Sequence, residues 1–271
     1  MLQSLNSALS GMQNFQTSLD VIGNNISNSN TTAFKASRTD FSDALSNSLS
    51  STVQVGSGVQ TSAVQTNFTG GTITSTNIAS DMAISGSGFF LVKDPVSGTE
   101  YVTRDGSFTV DNSGYLVTSN GMRVQGYTDS NLSTIGDIQI DGNGSTSTNS
   151  DATYKGYSVD SSGTITVTMS DGSSFVRGQI LLEGFTNPNA LTSAGNNLYT
   201  GMANAGMTTS AAVAPGTYGL GTVRTSALEA SNVDLTSEMA NMITAERGFQ
   251  ANSKVITTSD EMMQDVINLK R

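Results

Sequence analysis

The sequence predicts an α+β chain. An N-terminal and a C-terminal α-helix form a coiled-coil-like module, and an antiparallel all-β domain, barrel- or sandwich-like, is inserted between them. Three observations predict this. Apolar residues recur at seven-residue intervals near both ends of the chain. The long middle alternates short apolar runs with turns rich in Gly, Ser, Thr and Asn. Charged residues make up only 13% of the 271 positions, against roughly a quarter in an average soluble protein. The remaining polar residues are types that favour turns and strands over helix interiors.

In the first helix Leu5, Met12, Leu19 and Ile26 lie seven apart, flanked by Leu9, Phe15 and Ile22. A period of seven gives a narrow apolar seam that requires another helix opposite it. The spacing predicts a start near Gln3-Ser4, with Ser4 or Asn6 as cap. It predicts a break at Gly23-Asn24-Asn25 or just beyond Asn28-Ser29-Asn30, because Asn tolerates turn geometry. Phe34, Phe41, Leu45 and Leu49 predict a short helix over residues 38–49.

From about residue 60 the pattern turns to β. Val59, Thr61 and Ala63 alternate, and Phe89-Phe90-Leu91-Val92 reads as a buried strand after the bend Gly86-Ser87-Gly88. Asp105-Gly106 between Tyr101-Val102-Thr103 and Phe108-Thr109-Val110 signals a tight turn, and Asn112-Ser113-Gly114 leads into Tyr115-Leu116-Val117. Further strands are predicted at Ile138–Ile140, Ile165–Met169 and Gln179–Phe185. A second long helix begins beyond Asn232, capped by Asp234 or Thr236. Leu235, Met242, Phe249, Ile256 and Met263 recur along it at seven-residue spacing, with Met239 and Ile267 beside them. The expected division is residues 1–60 as helix and extended linker, 61–225 as the β-rich outer domain, and 226–271 as the C-terminal helix that joins residues 1–60 in an inner module.

Composition narrows the function. The chain contains no Cys, His or Trp, which removes thiolate zinc sites, disulfides and the Ser-His-Asp triad. The expectation is a non-enzymatic protein with no cofactor and no metal. A net charge of −10 argues against nucleic acid as a partner. No apolar run reaches the length needed to span a bilayer, so no membrane insertion is expected, and the first residues lack the features of a cleaved signal peptide. Asp141-Gly142-Asn143-Gly144-Ser145 has the alternating oxygens of a calcium loop, but Thr146 and Ala152 stand where such a loop needs Gly and Glu, so a solvated loop is the better reading. The two matched terminal seams point to a subunit of an assembly.

Several blocks together resemble the signature of bacterial flagellar hook and basal-body rod proteins. They are Leu19 to Asn28, containing Asn24, Asn25 and Asn28; Ala33-Phe34-Lys35; Asp81 to Phe90, containing Gly86, Gly88, Phe89 and Phe90; Tyr101 to Phe108, containing Arg104 and Gly106; and Ala227 to Leu235, containing Asn232 and Val233. The route from Phe41 to Gly71 is short and lacks the extra stretch usual in distal rod proteins, and the Leu228–Leu235 block and the ending look hook-like. The expected member is therefore a short hook protein, with a distal rod protein of the basal body as the alternative.

The resemblance implies a structural axial protein of the flagellum, exported through the flagellar type III apparatus without a cleaved signal. It implies a helical homopolymer around a central channel, adjoining rod, hook-cap and hook–filament junction proteins. As hook it would be a universal joint passing motor torque from rod to filament. Outside the family, a β-sandwich surface-binding module would explain the Thr- and Asn-rich centre but not the paired terminal seams.

Overall fold

The computed structural model describes residues 2–44, 47–50, 53–141, 153–209 and 211–269. The chain forms two compact units, one of residues 1–29, 35–67 and 233–271, the other of residues 30–34 and 68–232.

In the first unit the N-terminal helix, Leu2–Ser27, lies against the C-terminal helix, Leu235–Leu269. The N-terminal helix starts ahead of both expected caps and runs unbroken through Gly23-Asn24-Asn25. It ends at Ser27, where the Asn28 amide donates to the Asn24 carbonyl at 3.1 Å and the Asn28 side chain donates to the same oxygen at 3.0 Å. Carbonyls that a helix end leaves without partners are satisfied in this way. At the start of the C-terminal helix Asp234 is the cap: one carboxylate oxygen accepts from the Thr236 amide at 3.0 Å, the other from the Ser237 hydroxyl at 2.9 Å. The Ser237 hydroxyl and the backbone amides of residues 236 and 237 hold this carboxyl below its usual range.

The short helix expected over residues 38–49 is absent. Ser37–Asp43 is a strand, paired antiparallel with Val59–Thr66, and Asn47–Ser50 pairs with Val53–Val55. The reason is tertiary. Asn25 offers the Ser37 backbone a second partner strand in miniature: its side-chain oxygen accepts from the Ser37 N–H at 3.0 Å and its amide donates to the Ser37 carbonyl at 2.7 Å.

The second unit is antiparallel throughout. Along its main sheet the strands run Tyr154–Val159, Thr164–Met169, Ser174–Ile180, Arg123–Tyr127, Phe89–Lys93, Glu100–Thr103, Leu198–Thr200 and Thr192–Gly195. Phe89–Lys93 is central and covered on both faces, which is why it reads as a continuous apolar run. Phe90 and Val92 point into one core with Met82, Phe108, Leu116 and Ile180; Phe89 and Leu91 point into another with Val102, Leu181 and Tyr199. Phe90 meets Phe108 edge-on at 5.1 Å between centroids.

Three strand expectations are corrected here. Asp105-Gly106 does not join a hairpin, because its flanking strands take different partners: Glu100–Thr103 pairs with Phe89–Lys93 and Leu198–Thr200, whereas Phe108–Val110 pairs with Leu116–Thr118. Gly106 serves close approach instead. Its carbonyl accepts from the Met82 amide at 3.0 Å, and a Cβ there would lie 1.6 Å from the Met82 oxygen. Ile138–Ile140 forms only a single antiparallel bridge, Gln139 to Tyr115, rather than a full strand. The pairing strand is Ile135–Asp137, and Ile138 and Ile140 lie buried after it. Gln179–Phe185 splits into Ser174–Ile180 and Leu182–Glu183 because Leu181 turns into the second core. The calcium-like loop lies outside the described residues beyond Asp141, whose carboxylate accepts from the Arg177 Nε at 2.7 Å.

Glu183 is 2% exposed within this unit. Burial, with Glu100 adding repulsion, pushes its carboxyl up to about 7. A folded value above the unfolded one means that the folded state binds more protons between them, so stability falls as pH rises. All seven tyrosines lie between residues 101 and 218, so tyrosine fluorescence reports this unit alone. Urea titrations followed by that signal are expected to lose on the order of 2–3 kcal/mol between about pH 4.5 and pH 7. In Glu183→Gln the slope is expected to vanish.

Candidate assembly surface

The helix pair is built on small residues. A Cβ on Gly11 would sit 2.7 Å from the Asn252 side chain, and one on Gly248 would sit 2.5 Å from the Phe15 ring. Further along, the Asn25 amide donates to the Glu238 carboxylate at 3.3 Å. As the residue number rises on the first helix it falls on the second, so the two run antiparallel. Ala8, Gly11, Asn14, Ile22 and Asn25 are the buried positions of the first helix, and Ala245 and Ser259 those of the second. Ala8, Gly11, Ile22 and Asn25 fall on the three-four spacing of a coiled-coil seam, with Asn14 beside it.

Two buried asparagines tie the N-terminal helix to the strand pair. Asn14 donates to the Val59 carbonyl at 2.8 Å and accepts from the Thr61 hydroxyl at 2.6 Å. Asn25 holds Ser37 as described. Each buried amide thereby has the partners that burial demands.

The large apolar side chains lie mostly outside this seam. On the N-terminal helix Leu5, Met12, Phe15, Leu19 and Ile26 are half-buried, Ile22 is buried and Leu9 is exposed. On the C-terminal helix Met242, Ile256 and Met263 are half-buried, while Leu235, Met239, Phe249 and Ile267 are exposed, as are Ile243, Val255, Met262 and Val266. Ile243 is 59% exposed and Ile267 66%. Singly exposed apolar residues are ordinary, but a run along one helix marks an interaction surface. No described helix is long and apolar enough to cross a membrane.

The signature residues divide between the units. In the first, Asn24 is exposed, Asn25 and Lys35 are buried, and Asn28 and Val233 are half-buried. In the second, Gly86 and Gly88 have φ of 120° and 123°, a conformation suited to glycine. Phe89, Phe90 and Gly106 are core, and Phe34 and Asn232 are half-buried, joined by a bond from the Asn232 amide to the Phe34 carbonyl at 3.3 Å. Arg104 is buried against Glu229, with 3.6 Å between Nη1 and Oε2, and its guanidinium stands 5.2 Å from the centroid of the Phe89 ring. Burial lowers the Arg104 pKa and Glu229 opposes the shift.

Models of known families match three stretches of the chain. "Flagella basal body rod protein" covers residues 5–35, "Flagellar hook protein FlgE/F/G D1 domain" covers 83–167, and "Flagellar basal body rod FlgEFG protein C-terminal" covers 224–269. The flagellar basal-body rod protein FlgG of Bacillus subtilis is 41% identical, with 100% of each chain aligned. The chain belongs to the flagellar hook and basal-body rod protein family. The corresponding FlgG of Borreliella burgdorferi is 35% identical, again over 100% of both chains. The flagellar hook protein FlgE of Treponema pallidum is 46% identical, but over 47% of this chain and 30% of the hook protein. This family member is a structural protein of the flagellar axis and assembles with other flagellar components.

The buried small-residue seam is not legible in the spacing of large apolar residues. Gly11, Gly248, Ala8 and Ala245 at helical spacing were the available signal. Asn25→Ala strands the amide and carbonyl of half-buried Ser37. Its expected cost is roughly 2–4 kcal/mol to the helix-bearing unit, read from far-ultraviolet circular dichroism in urea, with the tyrosine-reported transition unmoved.

Proposed function

We propose that this chain is a distal rod protein of the flagellar basal body, polymerising helically through its terminal helix pair. The observation that carries the rod reading is coverage. The rod proteins of B. subtilis and B. burgdorferi align end to end with this chain, whereas the T. pallidum hook protein aligns over 47% of this chain and 30% of its own length. What reads in sequence as a short, hook-like route is a hairpin of Ser37–Asp43 with Val59–Thr66, extended by Asn47–Ser50 and Val53–Val55. This reading replaces the hook with the alternative.

The mechanism follows from the distribution of apolar surface. The seam between the two helices is closed by small residues, so the exposed Leu235, Met239, Ile243 and Phe249 remain for other copies. Burying them contributes about 25 cal/mol per Å² of apolar surface. Copies joined by unlike patches that do not close into a ring form a helical filament. In this reading the neighbours are further rod components and the hook, and the chain reaches its place through the type III export apparatus.

Ile243→Asp is expected to leave the helical circular dichroism of the free chain unchanged and to abolish tubes seen by electron microscopy after salting-out. Tubes from this variant at the wild-type concentration count against the reading. Immunogold labelling of isolated basal bodies decides between straight rod and curved hook, with rod the expected location.

A further inference from the structure

Beside the helix seam of the first unit lies a groove of about 270 Å³. Phe15, Ile22, Phe41 and Ala245 line it, together with Arg38 and Glu238. An apolar void of roughly 150 Å³ holds a benzene-sized group, so this one has room for more than one aliphatic side chain. Phe41 is 43% exposed, and the register of its strand shifts between Asp40 and Phe41. Such a bulge re-aims a side chain.

The C-terminal helix carries a fitting shape at its other end. Gly11 lies opposite Asn252, so the same register puts Leu2 level with Glu261, and residues 262–269 run roughly 12 Å past the start of the N-terminal helix. On this extension Met262, Val266 and Leu269 form one helical stripe, exposed by 51%, 55% and 86%. Ile267 and Asp265 flank it. The extension cannot fill its own groove, because the two lie on one rigid helix roughly 36 Å apart.

We propose that the extension of one copy seats in the groove of the next, its apolar stripe against Phe15, Ile22 and Phe41, and Asp265 against Arg38. The occupant is a second copy of this chain. Charge supports the pairing: the groove offers the exposed Arg38 guanidinium, its own Glu238 being engaged by the Asn25 amide at 3.3 Å, and the extension offers Asp265. Arg38 is now 3.3 Å from Asp40 in an exposed pair, an interaction weak enough to be exchanged. Unlike patches at opposite ends of one helix pair join head to tail and leave both ends open, which propagates a filament. The inference rests on the polymer reading above and adds the contact that makes it directional.

The chain has no cysteine, so engineered thiols are unambiguous. Thr39→Cys on the groove and Asn268→Cys beside the stripe are combined in the full chain, assembled, oxidised and run on a denaturing gel without reductant. The expected result is a ladder of multimers from the double variant and nothing beyond dimer from either single one. Tubes whose double variant yields no ladder overturn the contact and leave the polymer reading standing. Failure of the unaltered chain to form tubes under any condition overturns both. As a second arm, Arg38→Glu and Asp265→Arg are each expected to raise the critical concentration for assembly about tenfold, and the two together to restore it. Failure of the pair to restore assembly when each alone weakens it refutes the contact even where the cysteine variants do not assemble.

Discussion

Close approach between the two terminal helices is the constraint on which the first unit depends. At Gly11 and Gly248 a side chain of any size would press on Asn252 or Phe15. The helices therefore meet through small residues, and the large apolar side chains are displaced to the flanks. That displacement separates two tasks. Holding the helices together uses Ala8, Gly11, Ile22, Ala245 and Ser259 with the buried asparagines. Met239, Ile243 and their neighbours are left uncovered by the chain itself, and in the proposed polymer they hold copies together.

The asparagines give the arrangement its specificity. Apolar contacts tolerate sliding, whereas Asn14 and Asn25 each accept one alignment of helix against strand. Asn25 makes this plain, since its side-chain amide completes both backbone bonds of Ser37 and reaches Glu238 on the other helix. A buried amide that lost these partners would carry the whole cost of its desolvation. In the β-rich unit the same logic is apolar: Phe89 and Phe90 lock two cores to one strand from opposite faces.

Much of this was legible in the residues. Seven-residue spacing locates both long helices, Asp234 is one of two cap candidates in the sequence and is the cap in the structure, and the continuous apolar run locates the central strand. Elements set by distant partners were not legible. Residues 38–49 carry apolar spacing compatible with a helix, and only the Asn25 side chain and the strand Val59–Thr66 make them extended. Asp105-Gly106 has the composition of a hairpin turn, yet Gly106 is placed by contact with Met82, remote in sequence. The seam itself escaped notice because Gly and Ala announce helix contact less loudly than Leu and Met. The motif blocks do not separate rod from hook, since one family model spans both, and the rod proposal rests instead on whole-length relatives.

An axial protein has to be individually folded enough to present a surface and incomplete enough to need neighbours. The distribution of Met along the C-terminal helix allows this to be measured directly. Met239 and Met262 are 49% and 51% exposed in the single chain, and peroxide converts accessible Met to its sulfoxide. Peptide mass spectrometry of free chain and of isolated basal bodies under the same peroxide pulse gives the oxidation of each residue. The account predicts rapid oxidation of both in the free chain and strong protection in the assembled axis; equal oxidation in the two would contradict it.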